Sequence, residues 1–223
     1  MHTLNLLPWA EFQETYITSG RIYRTPEGMW YQSVTTYLKH VLPESEQLKK
    51  WKVRVGPEEA AAKMTRGSKR GTTIHKFAEC YLQGKPFPVG MPLHQDLFNQ
   101  LKIEFDKHLS TVYGFEAFLY SHLFRLAGRA DIIGRWNGDL SIIDIKTTTN
   151  TLYPDALEKH LLQAAAYAHL FHAVTKGQYK IKNLVIVVAL EAGPPAIVEV
   201  RPAKNYLLHF LDIWKANPPQ IVA

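Results

Sequence analysis

Cysteine is nearly absent: Cys80 stands alone among 223 residues. A single thiol excludes an intramolecular disulfide, a cysteine-clustered zinc site and an iron–sulfur cluster. It also suits a reducing compartment, so a cytoplasmic protein is the expectation. Long apolar runs are missing too. The longest, Leu184 to Leu190, suits a buried strand and falls far short of the roughly 20 residues of a membrane span. No membrane partner is therefore expected. The opening residues, MHTLNLLPWAEFQ, have neither the basic start and small-residue cleavage site of a secretory signal nor the Arg/Ser-rich bias of a transit peptide. Internal repeats, low-complexity tracts and evident linkers are absent as well. One domain over residues 1–223 follows, and 46% hydrophobic and 12% aromatic residues are enough to give it a sizeable core.

Charge is present but uneven. Residues 39–76 hold ten basic side chains, Lys39, Lys49, Lys50, Lys52, Arg54, Lys63, Arg66, Lys69, Arg70 and Lys76, against four acids. That excess of six equals the net charge of the whole chain, +6, so the remainder is neutral. Concentrated positive charge suits a polyanion-facing element, and equally a solvated basic helix face.

Turn and periodicity signals order the chain. Arg21–Gln32 reads as a hairpin turning at Pro26-Glu27-Gly28, and Ser33–Thr36 supply caps for a short helix to Val41. Helical stretches follow from Pro43 or Glu44 to Gly56-Pro57, and from Glu58 to Met64. Another is capped by Thr72 or Thr73 and buries Ile74, Phe77, Ala78, Tyr81 and Leu82 before Gly84 ends it. Leu93, Leu97, Leu101, Phe105 and Leu109 mark a further amphipathic helix. Strands are expected at 115–120, 122–136 and 140–147, a helix at 155–174, strands at 184–190 and 196–201, and a last helix at 203–216. Helices, then an antiparallel meander, then helix and strand imply an α/β or α+β sandwich around a central sheet, with a helical subdomain at 43–70.

The stretch LAGRADIIGRWNGDLSIIDIKTTTN carries the chemistry. Asn137-Gly138 between apolar runs signals a two-residue type I′ turn, because both loop positions need positive φ. That turn sets Asp131 opposite Asp144, with Lys146 two residues on and on the same face. Facing carboxylates repel and need a proton, a lysine or a divalent cation between them. Two readings remain open from spacing: a hard-cation site for magnesium or manganese, or a structural Asp–Lys–Asp cluster.

These residues resemble the PD-(D/E)xK nuclease superfamily, with Asp131 from GRADIIG and Asp144 and Lys146 from IIDIK. RGTTIHKFAE resembles the RG-x-x-x-H helix of its RecB-type exonuclease branch, with His75 as the histidine. GFEAFLYS supplies Glu116, and QAAAY supplies Gln163 and Tyr167 of a Q-x-x-x-Y helix. WYQSVTTYL and the basic helices at 44–66 are similar to the opening helix and DNA-enclosing arch of mitochondrial genome maintenance exonucleases and their phage-encoded relatives. The resemblance implies a restriction-endonuclease-like core, a central mixed sheet flanked by helices. It implies one or two Mg²⁺ or Mn²⁺ ions on His75, Asp131, Asp144 and the carbonyl of Ile145, with Glu116 as ligand or base. Lys146 would orient the attacking water, and Gln163 and Tyr167 would orient Lys146 or a phosphate. Lys49, Lys50, Lys52, Arg54, Arg66, Lys69 and Arg70, with Trp51 and Tyr37 as stacking surfaces, would hold DNA without reading sequence. The implied activity is a DNA exonuclease acting on free ends, preferably single-stranded, in phage or bacterial replication or recombination. A structure-specific endonuclease and a non-catalytic DNA-binding module are the alternatives. Each residue also has a structural role to set against this: a core histidine, a Glu116 paired with Arg129 or Arg125, a Lys146 that only balances charge.

Overall fold

The computed structural model describes residues 2–149 and 151–219. Strands β1 (Thr3–Leu4) and β2 (Gln13–Ile17) precede the hairpin of β3 (Gly20–Arg24) and β4 (Trp30–Ser33). Helices α1 (Val34–Val41), α2 (Glu46–Val55), α3 (Pro57–Leu82) and α4 (Pro92–His108) come next. The meander of β5 (Leu109–Ser121), β6 (Leu126–Trp136) and β7 (Asp139–Thr148) follows. Helix α5 (Pro154–Val174), β8 (Asn183–Leu190), β9 (Ile197–Pro202) and α6 (Ala203–Ala216) complete the described elements. The strands form one mixed sheet in the order β2-β3-β4-β6-β7-β8-β9, with β5 pairing β6 off this path and β1 pairing β5. Helices flank it on both sides. One core cluster packs the sheet against α1, α5 and α6, with Phe171 and Phe210 fully buried; another packs it against α3 and α4 through Phe77 and Phe105.

The hairpin expected at Asn137-Gly138 is present and its register holds from Trp136–Asp139 to Ile132–Ile143, but the expected facing pair of Asp131 and Asp144 does not form, because the strands part before it and the two carboxylates turn to opposite sides. Asn137 and Gly138 have φ of +50° and +87°, and Trp136 pairs with Asp139, Ile133 with Ile142 and Ile132 with Ile143. Ser33 caps α1 by accepting from the Thr36 N–H at 3.1 Å, again as expected. Helix α3 differs. The two helices expected at 58–64 and from Thr72 or Thr73 are one continuous helix. Neither threonine caps it: their hydroxyls donate back to the carbonyls of Ser68 and Lys69, both at 3.1 Å. Such i−4 bonds satisfy hydroxyls inside a helix. The buried C-terminal half, with Ile74, Phe77 and Leu82, anchors a largely exposed first half. The expected strand at 122–136 starts only at Leu126, after a turn at 122–125, and β5 starts at Leu109, which the helical pattern had claimed.

Strand β6 makes the feature that positions the site. One of its edges is held by β4 at Leu126 and Ala127, and by β7 from Ile132 onward. Between these, residues 128–131 pair on that edge with neither. Strand β7 meanwhile runs on beside β8 to Thr148. The sheet forks there. Side-chain alternation breaks at the same level. Phe115 and Ile132 belong to the α3/α4 side, whereas Ala117 and Ala130 belong to the α5 side. Glu116, between them, has φ of +45°, a left-handed conformation that a non-glycine strand residue adopts only under constraint.

Candidate active site

The fork collects the charged groups. Asp131, at the last unpaired position of β6, accepts the backbone N–H of Ile145 at 2.7 Å through Oδ2, so a carboxylate replaces the next rung of the ladder. Its Oδ1 lies 3.4 Å from Nδ1 of His75, which α3 projects onto the sheet. The same Nδ1 is 3.4 Å from Oε1 of Glu116, and Nε2 of His75 is 3.1 Å from the carbonyl oxygen of Ile145. Ligand atoms of His75, Glu116 and Asp131 all fall within 4.8 Å of one another. Helix α3 can come this close because Ile74, Phe77 and Ala78 bury against the sheet beside Ile143 and Ile145.

Asp144 faces the other way, toward α5, and is 1% exposed. Lys146 Nζ donates to its Oδ1 at 2.7 Å and lies 2.6 Å from Oδ2, while Nε2 of Gln163 donates to Oδ1 at 3.1 Å. Only Oδ1 receives directed hydrogen bonds; the buried Oδ2 is without one. Tyr167, one turn beyond Gln163, packs its ring over the Gly128 backbone, where a Cβ would stand 2.9 Å from the ring. That explains a glycine at the fork.

Burial and charge oppose each other throughout. Burial pulls His75 down, but Asp131, then Glu116, raise it to about 10, so the imidazolium donates from both nitrogens. Asp131 is buried, which raises its carboxyl, yet His75 and Lys146 hold it below the usual range. Burial pushes Asp144 up to about 6 against the pull of Lys146. Lys146 is desolvated, but Asp144 and Asp131 raise it. His160, a turn before Gln163, is lowered to about 3 by burial and by Lys146.

The expected residues thus divide. His75, Asp131 and the Ile145 carbonyl come together, Glu116 joins them, and Asp144 forms a second cluster with Lys146 and Gln163. The residues present fit a divalent cation: a nitrogen and two carboxylates converge, and a buried carboxylate oxygen nearby lacks a directed partner. Tyr37 is not a stacking surface; it is buried, and its hydroxyl donates to the carbonyl of Asn217. Trp51 is half-buried on α2. Lys49 pairs with Glu46, Lys52 with Glu44 and Arg66 with Glu59, whereas Lys50, Arg54 and Lys69 are exposed and make no ion pair among the described residues. Arg70 is not a free surface cation. It pairs with Glu191 and donates from Nε to Thr147 Oγ1 at 3.0 Å, strapping α3 to the end of β7 one residue past Lys146. Arg129, whose Nη1 is 3.4 Å from Oε2 of Glu116, entered the sequence reading only as a structural partner; its position two residues before Asp131 was the available signal.

The family model of the PD-(D/E)XK nuclease superfamily matches residues 91–205, which include Glu116, Asp131, Asp144, Lys146, Gln163 and Tyr167 and leave out His75. No curated protein matches the chain. Among solved structures, one named "Putative exonuclease" from Eubacterium rectale matches with 13% identity and a TM-score of 0.47. The match covers 68% of this chain and 66% of that one, just under two thirds of its length, and carries no functional argument.

Proposed function

The chain belongs to the PD-(D/E)XK nuclease superfamily, and from that premise we propose that it is a metal-dependent DNA exonuclease acting on free, single-stranded ends. The observation that carries this reading is the fork, where His75, Glu116 and Asp131 converge beside the Lys146–Asp144 pair. Superfamily members generally use divalent metal ions. Here His75, Glu116, Asp131 and the Ile145 carbonyl would hold Mg²⁺ or Mn²⁺, with Asp144 Oδ2 completing the set. When bound, such an ion polarises the phosphoryl oxygens and makes water more acidic.

The chain's own groups do the rest. Lys146 keeps its charge at the fork because Asp144 and Asp131 raise it, and a fixed ammonium there stabilises the negative charge that builds on phosphorus. Gln163 holds Asp144 from the α5 side, so Lys146 and Asp144 keep one geometry. Glu116, bent into the site by its positive φ, is the candidate base for the attacking water. We assign residues 43–70 as a helical arch. In support, α2 and the first half of α3 are largely exposed and carry Lys50, Arg54 and Lys69 without ion-pair partners among the described residues.

Linear and closed-circular single-stranded DNA, digested in parallel with Mg²⁺ or Mn²⁺, test the reading. Loss of the linear substrate alone, stopped by EDTA, is the expected result. Cutting of the circle would make the protein an endonuclease, and no cutting of either would leave a DNA-binding module.

A further inference from the structure

Between Ala60 and Ile74, helix α3 buries no residue. His75 therefore stands at the margin of the part that the core holds, and from there it reaches Asp131 and the Ile145 carbonyl. One further attachment lies on the exposed side of His75. Arg70 donates from Nε to Thr147 Oγ1 at 3.0 Å and from Nη2 to the Thr147 carbonyl at 3.4 Å. Its Nη1 pairs with Glu191. Glu191 is itself fixed, because its N–H donates to the Thr148 carbonyl at 3.0 Å. The preceding residue, Leu190, is gripped at both backbone groups by the buried Gln100 of α4, at 2.9 and 3.0 Å. An amide, a carboxylate and a guanidinium thus run from α4 through the end of β8 to α3 and β7. The side chains of Arg70 and Glu191 are 14% and 29% exposed, so solvent screens this pair less than a surface one.

The spacing makes Arg70 a second rung beside His75. The two residues are about 7.5 Å apart along the helix. Their partners on β7, Thr147 and Ile145, are about 6.7 Å apart along the strand and share a face. A slide of α3 along β7 breaks both contacts. Round the helix, Arg70 and His75 are about 140° apart, with Ile74 and Ala78 between them. They flank the buried stripe, so a roll of α3 that frees Arg70 also swings His75 against Asp131.

We propose that Arg70 and Glu191 form a positioning pair that sets His75 against Asp131 and the Ile145 carbonyl, and thereby fixes the cation affinity of the fork. Neither residue is among the converging ligand groups, so the pair acts through α3. The proposal rests on the metal-dependent reading above and adds a control on it from the far side of the sheet's end.

The test uses the full chain without nucleic acid. Mn²⁺ affinity is read from the electron paramagnetic resonance signal of the free ion, which is lost on binding. Glu191→Gln keeps the shape and removes the charge. Arg70→Lys keeps the charge and removes the planar fork that spans two partners. Each is expected to weaken Mn²⁺ binding by about tenfold, the loss typical when a residue behind a metal ligand is changed. The double variant should lose no more than the worse single one, because the two act as a unit. Melting in EDTA establishes that each variant is folded at the assay temperature; if Arg70→Lys is not, Glu191→Gln decides. Folded variants that bind Mn²⁺ as the wild type does overturn the proposal, and so do losses that add. The rival role, Arg70 as a phosphate contact, would overturn it through unchanged Mn²⁺ affinity with weaker binding of a single-stranded oligonucleotide in EDTA. A wild type that binds Mn²⁺ but cleaves no DNA sinks the nuclease reading alone, and the Mn²⁺ ratios still decide the pair. A wild type that binds no Mn²⁺ sinks both.

Discussion

At the scale of single residues, the fork is a set of charges that depend on one another. Asp144→Ala removes the partner of Lys146, and Lys146→Ala removes the fixed positive charge. Each is expected to lower DNA hydrolysis by at least about a hundredfold. The circular dichroism spectrum should stay native, since Asp144 without Lys146 can take up a proton. His75 gives a pH signature. Its folded value of about 10 lies above the ordinary 6.5, so its contribution to stability is complete below pH 6.5 and is lost as pH rises toward 10. The contributions of His160, lowered to about 3, and Asp144, raised to about 6, are nearly complete by pH 7 and change little above it. In EDTA the melting temperature should therefore fall from pH 7 to pH 10, and His75→Gln should flatten that fall. Mn²⁺ binding at pH 8 should release a proton from His75, visible as a calorimetric heat that varies with buffer ionisation enthalpy.

At the scale of elements, α3 is the member with the most to explain. Its first half is largely exposed and contains Gly67, with Gly71 just past the midpoint. A Cβ on Gly71 would meet nothing within 4 Å, so Gly71→Ala should raise stability by about 0.5–1 kcal/mol in a denaturant titration. Gly128 is the opposite case. A Cβ there meets the Tyr167 ring at 2.9 Å, and Gly128→Ala should cost about 1–3 kcal/mol and reduce activity by shifting α5 against the fork. The amphipathic spacing of α4 made that helix legible from the sequence, and α5 and α6 stand within a residue of the ranges expected for them. The continuity of α3 was not, because its glycines and threonines read locally as breaks. Only the burial of Ile74, Phe77 and Leu82 shows what holds the whole length. Arg70 illustrates the same limit: a cation in a basic segment reads as a DNA contact, and its partner Glu191 lies 121 positions away.

At the scale of the whole molecule, basic charge lies over α2 and the start of α3 while the site lies at the fork. Binding of single-stranded DNA should weaken steeply with salt. The triple variant Lys50→Ala, Arg54→Ala, Lys69→Ala should flatten the slope of log affinity against log salt by about two, three charges at roughly 0.7 each. An unchanged slope would place the strand elsewhere. No helix among the described residues is long and apolar enough to cross a membrane.

The sequence by itself determined what short-range sterics and periodicity control. Asn137-Gly138 admits the positive φ of a tight turn, that turn sets the register of β6 and β7, and the register puts Asp131, Asp144 and Lys146 at one level of the sheet. Tertiary structure decided how those groups are shared out. Asp131 turns to His75 and Glu116, Asp144 to Lys146 and Gln163, because the strands part beyond the Ile132–Ile143 pair and the backbone reverses its facing at Glu116. Neither event is local. Both go with α3 and α5 packing on opposite sides of the sheet. Alternation along one strand carries no information about which helix waits on either face.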